Sequence, residues 1–230
     1  MGSPKRPHIR HIRGKDVFAG RGNHKDKTKQ EEFSQKLVKS ESENLSLQDV
    51  QIELKKSLEL AIDITNKSKR NMGIYIEIED QIIEQFRQGM EDAKESVFGV
   101  YLEKNIFNNK ELICLNSQIF NEPGLAPHII FHELAHSTAI PSRLNRKVHY
   151  SNPKSDKKED ERLNAKEELI AEMTALNLSN YFKNRLTSEM KTQRNEFVSL
   201  CKSYLSTDDV QDAYSKSIEV FDYLVSVLKK

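Results

Sequence analysis

The sequence has 230 residues, with 37% hydrophobic and 31% charged side chains and a formal net charge of +1. This length accommodates one ordinary domain with an extension rather than two full domains, and the balanced charge excludes a chain that attracts nucleic acid as a whole. No apolar run is long enough to cross a membrane, and the basic start lacks the apolar stretch of a secretory signal, so we expect a cytoplasmic protein without a membrane partner. Cys114 and Cys201 stand alone in apolar surroundings, which is typical of buried free thiols.

The beginning of the sequence is strongly basic. Residues 1–30 carry nine Lys or Arg against two Asp, and they contain few apolar side chains. Such a stretch cannot bury enough surface to fold alone, so we interpret residues 1–45 as a flexible basic arm ahead of a folded domain over 46–230. A solvated tail is one interpretation of the arm, and an electrostatic contact with nucleic acid or an acidic partner is the other.

The first half of the folded domain mixes helical and strand patterns. Helical periodicity predicts a helix over 47–67, and isoleucines that alternate with polar residues predict a short strand over 74–78. A further short helix is expected to end near Gly89. Apolar runs at 97–102 and 112–115 flank a polar tip, which predicts a β-hairpin.

The second half is predicted to be mainly helical. Apolar residues from Pro127 to Ala139 predict one helix, and helical periodicity returns over 161–185. The polar stretch 149–160 between them predicts a long loop, and such loops often cover functional sites. Residues 188–230 predict two more helices, split near Ser206. A small sheet followed by these helices predicts an α+β domain.

The predicted apolar helix contains the HExxH motif His132-Glu133-Leu134-Ala135-His136. Histidines four residues apart project from one face of a helix and can both reach a zinc ion at about 2.0–2.1 Å. Glu133 is rotated by about 100° from His132, so we expect it beside the metal, where a general base for the zinc-activated water belongs. The alternative is a solvated His-Glu-His stripe on an amphipathic helix.

A catalytic zinc usually takes three protein ligands, so a third ligand is sought elsewhere. The three-histidine pattern HExxHxxGxxH is absent, because Ala139 stands in its glycine position and Arg143 near its last histidine. Glu168 and Glu172 are four apart on one face of a later predicted helix. We assign Glu168 as the third ligand and Glu172 as the acceptor for the outer N–H of a ligating histidine, while Glu167 is expected to point off this face. The reverse assignment and a surface pair matched by lysines are the alternatives.

Three ordered segments carry a resemblance to a known family: FHELAH at 131–136, SRLNR at 142–146 and EELIAE at 167–172. They resemble the C-terminal zincin-like metallopeptidase domain of the ArdC antirestriction proteins, over roughly residues 74–230. The resemblance implies a gluzincin-type fold with a small sheet, an HExxH helix, a glutamate helix and closing helices. It also implies that His132, His136 and a glutamate of the third segment hold the metal, and that the protein belongs to mobile DNA and associates with single-stranded DNA.

Four further side chains are candidates for contacts with a substrate. His149 and Tyr150 lie in the predicted long loop, where either could stabilise the oxyanion of a peptidase reaction, although a solvent-exposed pair is the alternative. Arg143 and Arg146 could bind a carboxylate or phosphate, with a role in fixing the loop as the alternative.

These features together predict a zinc-dependent metallopeptidase with one zinc ion per chain and Glu133 as its general base. Its substrate would be a peptide or protein, held in extended form along the hairpin edge by strand addition. One alternative is an antirestriction or single-stranded DNA-binding protein of mobile DNA, in which zinc is mainly structural and the basic arm contacts nucleic acid. A regulatory protease that cuts one dedicated partner protein is the other.

Overall fold

The computed structural model describes residues 47–88, 97–103, 110–146 and 156–230. These residues form six α-helices, one short 3-10 helix at Ser117–Asn121 and three strands. The arrangement is α+β and mostly helical, as the sequence predicts. Three predicted features lie outside the described residues: the basic arm over 1–45, the domain start at 46, and residues 149–155 of the predicted long loop. Within the described ranges, no helix is both long and apolar enough to cross a membrane.

The first three elements run from a long helix into the sheet. Helix α1 spans Leu47–Met72, strand β1 spans Ile74–Ile78 and helix α2 spans Asp80–Gln88. Helix α1 is five residues longer than predicted, because its buried face continues past residue 67, and it ends before Gly73, whose φ of 71° lies in the left-handed region. The predicted strand over 74–78 is confirmed.

The sheet has the order β1-β3-β2, with β2 at Gly99–Leu102 and β3 at Glu111–Leu115. Strand β2 is antiparallel to β3, which confirms the predicted hairpin, and β1 is parallel to β3. Side chains alternate between the two faces of the sheet. Those of Tyr101, Ile113 and Leu115 enter the main core, and those of Val100, Leu112 and Cys114 form a smaller apolar cluster with Ile83 of α2.

Two packed helices carry the functional motifs. Helix α3 spans Leu125–Ser137, and helix α4 spans Lys157–Tyr181. Most side chains of α3 are buried, which explains its nearly continuous apolar sequence. Two hydrogen bonds hold Gly124, the residue before α3. Its amide donates to Ser57 Oγ of α1 at 2.9 Å, and Asn184 donates to its carbonyl at 2.8 Å.

The structure corrects the predicted end of the long loop. Helix α4 begins at Lys157, so residues 157–160 are helical rather than loop. The reason is local, because the Asp156 side chain accepts from the Lys158 amide as an N-cap, and Glu159 and Asp160 place negative charge in the first turn.

The chain closes with two helices, as predicted. Helix α5 spans Ser188–Ser203 and helix α6 spans Thr207–Leu228, each started by a side-chain cap, from Thr187 and Ser206 respectively. Both α5 and α6 pack on α4. The two cysteines are free and buried, as expected, and burial raises the pKa of the Cys114 thiol to about 12.

Candidate metal centre

The two motif histidines meet on one face of α3. Their Nε2 atoms lie 3.1 Å apart, and their side chains remain 13% and 12% exposed for His132 and His136. The helical spacing of four residues brings the rings together, as the sequence predicts. Both rings therefore turn the same nitrogen toward one point that stays open to a small ion.

Helix α4 brings the carboxylate of Glu168 to this point. Its Oε2 lies 3.3 Å from His132 Nε2, and its Oε1 lies 3.8 Å from His136 Nε2. Ligand atoms at the corners of a tetrahedron, each about 2.0–2.1 Å from zinc, lie about 3.3 Å apart. The separations in the protein are close to that value. The three side chains therefore fit three of the four coordination positions of a tetrahedral zinc ion. They form the one group of this kind among the described residues.

Glu172 links the first histidine to a deeper layer. The side chain is fully buried, with Oε2 3.1 Å from His132 Nδ1 and Oε1 3.2 Å from His128 Nε2. His128 in turn contacts Ser179 Oγ at 3.2 Å. Burial raises the pKa of Glu172, but His128 and His132 outweigh it and hold that pKa well below its usual range. The carboxylate is therefore charged and orients His132 with its Nε2 toward the candidate metal position.

Glu167 supports the second histidine in the same way. Its Oε1 lies 3.3 Å from His136 Nδ1, and its Oε2 accepts from Arg146 at 2.8 Å. The expectation that Glu167 points off this face is therefore wrong. Burial raises the pKa of Glu167, yet Arg146 and His136 bring the net pKa below its usual value. Arg146 also donates to the carbonyl of Ala135 at 2.7 Å, which fixes it to the end of α3.

Glu133 lies beside the two histidines and against the sheet. It is buried, with 8% of its surface exposed. Burial raises the pKa of its carboxyl, and the neighbouring His132 and His136 and a hydrogen bond from the Tyr101 backbone oppose that rise. A raised pKa favours a carboxyl group that can both accept and return a proton near neutral pH.

The charges around the three candidate ligands suit a dication. Four buried carboxyl groups stand here, from Glu133, Glu167, Glu168 and Glu172. Among the described residues, two guanidinium groups approach these carboxyl groups. Arg146 contacts Glu167, and Nη1 of Arg194 on α5 lies 4.0 Å from Glu172 Oε2. Buried carboxylates need compensating charge. A zinc ion would supply positive charge beside these carboxyl groups, and the mixed nitrogen and oxygen donors are those that zinc takes.

The remaining candidates from the sequence divide into two groups. The side chain of Arg143 is 6% exposed, donates to Glu111 at 2.7 Å and to the Ser137 carbonyl at 2.8 Å, and also donates to the Met72 carbonyl. These contacts favour the loop-fixing alternative over a substrate contact. His149 and Tyr150 lie outside the described residues.

Sequence reasoning missed two partners at this site. His128 stands four residues before His132, so the HExxH spacing already placed it on the same helical face. The contact of Arg194 with Glu172 joins residues far apart in sequence and no local pattern indicates it.

Comparison of the chain with protein-family models, with curated proteins and with solved structures found no match.

Proposed function

We propose that this protein is a zinc-dependent peptidase of the zincin-like, gluzincin type, with His132, His136 and Glu168 as zinc ligands. The observation that carries the proposal is the convergence of these three side chains at separations suited to one tetrahedral ion, with Glu133 beside them. The resemblance of the three sequence segments to the ArdC antirestriction proteins supports the same assignment, and we propose a relationship to that family.

The chain's own residues would divide the work of hydrolysis. A zinc ion held by His132, His136 and Glu168 would lower the pKa of a bound water molecule and polarise the carbonyl of the scissile bond. Glu133 accepts the proton of the attacking water as the new C–O bond forms, and it returns that proton to the amine nitrogen as the C–N bond breaks. Glu172 and Glu167 hold the two histidines in orientation throughout.

Strand β2 is suited to hold the substrate. It is an edge strand of the sheet, and its pairing with β3 turns alternate backbone groups outward. Phe98 O accepts from Asn116 N at 2.8 Å, so the backbone of Phe98 faces β3, and that of Gly99 faces away from it. An extended peptide can pair with such an edge by strand addition, next to Glu133.

Hydrolysis of a peptide library by the zinc-loaded protein tests the proposal. We expect cleavage by the wild type and a loss of about 10²–10⁴-fold in kcat for Glu133→Gln, the range that general acid–base catalysis contributes. Zinc content should be unchanged in this variant, because Glu133 is not a ligand in the proposal. A zinc-loaded wild type that cleaves no peptide in the library would contradict it.

We propose a second candidate function because residues 1–30 carry nine Lys or Arg. In this alternative the protein is an antirestriction or single-stranded DNA-binding protein, and zinc is mainly structural. The full chain should then shift single-stranded DNA on a gel at low salt and release it as salt is raised, since phosphate contacts are salt-dependent. Absence of any shift at low salt, with single- or double-stranded DNA, would exclude this function.

A further inference from the structure

We infer that Gly99 is a positioning residue for Glu133: the missing side chain lets edge strand β2 lie directly against the turn of α3 that carries the proposed base. The inference deepens the proposed function and rests on it for the role of Glu133. It concerns the backbone of β2, to which the sequence motifs assign no role.

The space at Gly99 is closed by two side chains of α3. A Cβ atom at this position would lie 2.8 Å from Ile129 Cγ2, 3.0 Å from Glu133 Cγ and 3.1 Å from Glu133 Oε1. Protein interiors do not accommodate carbon atoms this close without a shift of the neighbours. The φ of Gly99 lies outside the left-handed region, so its neighbours, and not its backbone conformation, require a glycine here.

The register of β2 explains why its backbone reaches Glu133. Hydrogen-bonded and non-hydrogen-bonded pairs alternate along an antiparallel ladder. Because Phe98 pairs with Asn116 through a hydrogen bond, the backbone of Tyr101, three residues on, faces away from β3. Its hydrogen bond to the Glu133 carboxylate uses this outward side of the strand. Gly99 sets the distance between strand and helix, and at that distance the Tyr101 backbone meets the Glu133 carboxylate.

A methyl group at Gly99 meets Ile129 Cγ2 first, at 2.8 Å, and a shift of that side chain alone leaves the two contacts with Glu133 in place. Two further shifts would relieve those contacts. The strand can move away from α3, which weakens the bond from the Tyr101 backbone, or the Glu133 side chain can move. Either shift displaces the carboxylate relative to the candidate metal position. Displacements of about 1 Å at a reacting group can cost about 10²-fold in rate, so a small shift is measurable.

The test is a double-mutant cycle on thermal unfolding, made with metal chelated so that neither zinc nor activity enters. Gly99→Ala is introduced into the wild type, into Glu133→Ala and into the matched control Glu196→Ala, whose side chain is exposed on α5. We expect Gly99→Ala to lower Tm by about 4 °C or more in the wild type and in the control, as overpacking does. In Glu133→Ala the loss of Tm should be smaller, because the contacts with Glu133 Cγ and Oε1 are gone and only the one with Ile129 Cγ2 remains.

Equal losses in all three backgrounds would overturn the inference, since the methyl would then act without Glu133. No loss in the wild type would overturn it as well, because β2 would have room for a side chain. In the zinc-loaded protein, Gly99→Ala should lower kcat about tenfold at unchanged zinc content. When it is added to Glu133→Gln, it should cause no further loss of kcat. A wild type without peptidase activity would contradict the proposed function, while the unfolding cycle would still decide whether Gly99 positions Glu133.

Discussion

Helix α4 carries two clusters of charged side chains that differ in burial. The inner cluster consists of Glu167, Glu168 and Glu172, whose side chains are at most 7% exposed and face the histidines of α3. The outer cluster consists of Arg162 and Lys166 together with their partners on α6, Asp209 and Asp212, at distances of 2.6–2.9 Å. Its side chains are 12–42% exposed. Similar short contacts thus occur in two environments on one helix.

Burial, and not distance, decides how much a charged side chain contributes to the stability of the fold. Exposed ion pairs gain little, because water and salt screen them and both side chains lose freedom. A buried charge that loses its partner keeps the full cost of having left water. The inner cluster is therefore expected to respond strongly to single substitutions, and the outer cluster weakly.

The largest effect on stability is expected from Arg146→Met. This change leaves the buried carboxylate of Glu167 on α4 without its cation, and the free energy of unfolding should fall by about 3 kcal/mol or more. Arg162→Met in the outer cluster is the matched control and should cost less than about 1 kcal/mol. Denaturant unfolding with metal chelated measures both. Similar losses of unfolding free energy for the two variants would show that burial does not decide the contribution of these charges.

A smaller effect, on metal affinity, is expected from the two supporting carboxylates. Glu172→Gln and Glu167→Gln each weaken the acceptor of a histidine Nδ1, and each should reduce zinc affinity by about 10–100-fold. Competition with a zinc chelator gives both affinities. Lys166→Gln, one residue from Glu167 but in the outer cluster, should leave the affinity within about twofold. An equal loss for Lys166→Gln would mean that net charge, rather than orientation of the histidines, controls binding.

The smallest effect is expected from Asp209→Asn in the outer cluster. Hydrogen bonds from Arg162 hold the pKa of Asp209 well below its usual range. A carboxyl group with a lowered pKa in the folded state stabilises the protein above its unfolded pKa of about 4, and this contribution is lost as the pH falls through the lowered value. The substitution should therefore cost less than about 1 kcal/mol at pH 7 and progressively less in acid. A cost that grows toward low pH would contradict this assignment.

Sequence reasoning succeeded where the information is local. The helical period puts His132 and His136 on one face of a helix and Glu168 and Glu172 on one face of another, and the structure brings His132, His136 and Glu168 together. The hairpin and the two closing helices were likewise predicted from local patterns.

The sequence does not predict contacts that depend on packing between distant segments of the chain. Glu167 and Glu168 lie about 100° apart on α4, yet both reach α3, because the two histidines that they contact are one helical turn apart. The parallel pairing of β1 with β3 joins strands separated by a helix and by β2, and nothing in the sequence of either strand encodes its partner. The contact of β2 with Glu133 through Gly99 is of the same kind.

The most direct test of the central claim is the metal content of the purified protein after reconstitution with zinc at neutral pH. Elemental analysis should be made on the wild type, on Glu168→Ala and on the matched control Glu219→Ala, whose side chain is exposed on α6. We expect about one zinc ion per chain in the wild type and the control, since three protein ligands hold a single ion, and a marked loss of zinc in Glu168→Ala. A wild type without zinc, or a Glu168→Ala variant that keeps its zinc fully, would show that these side chains are not a zinc site.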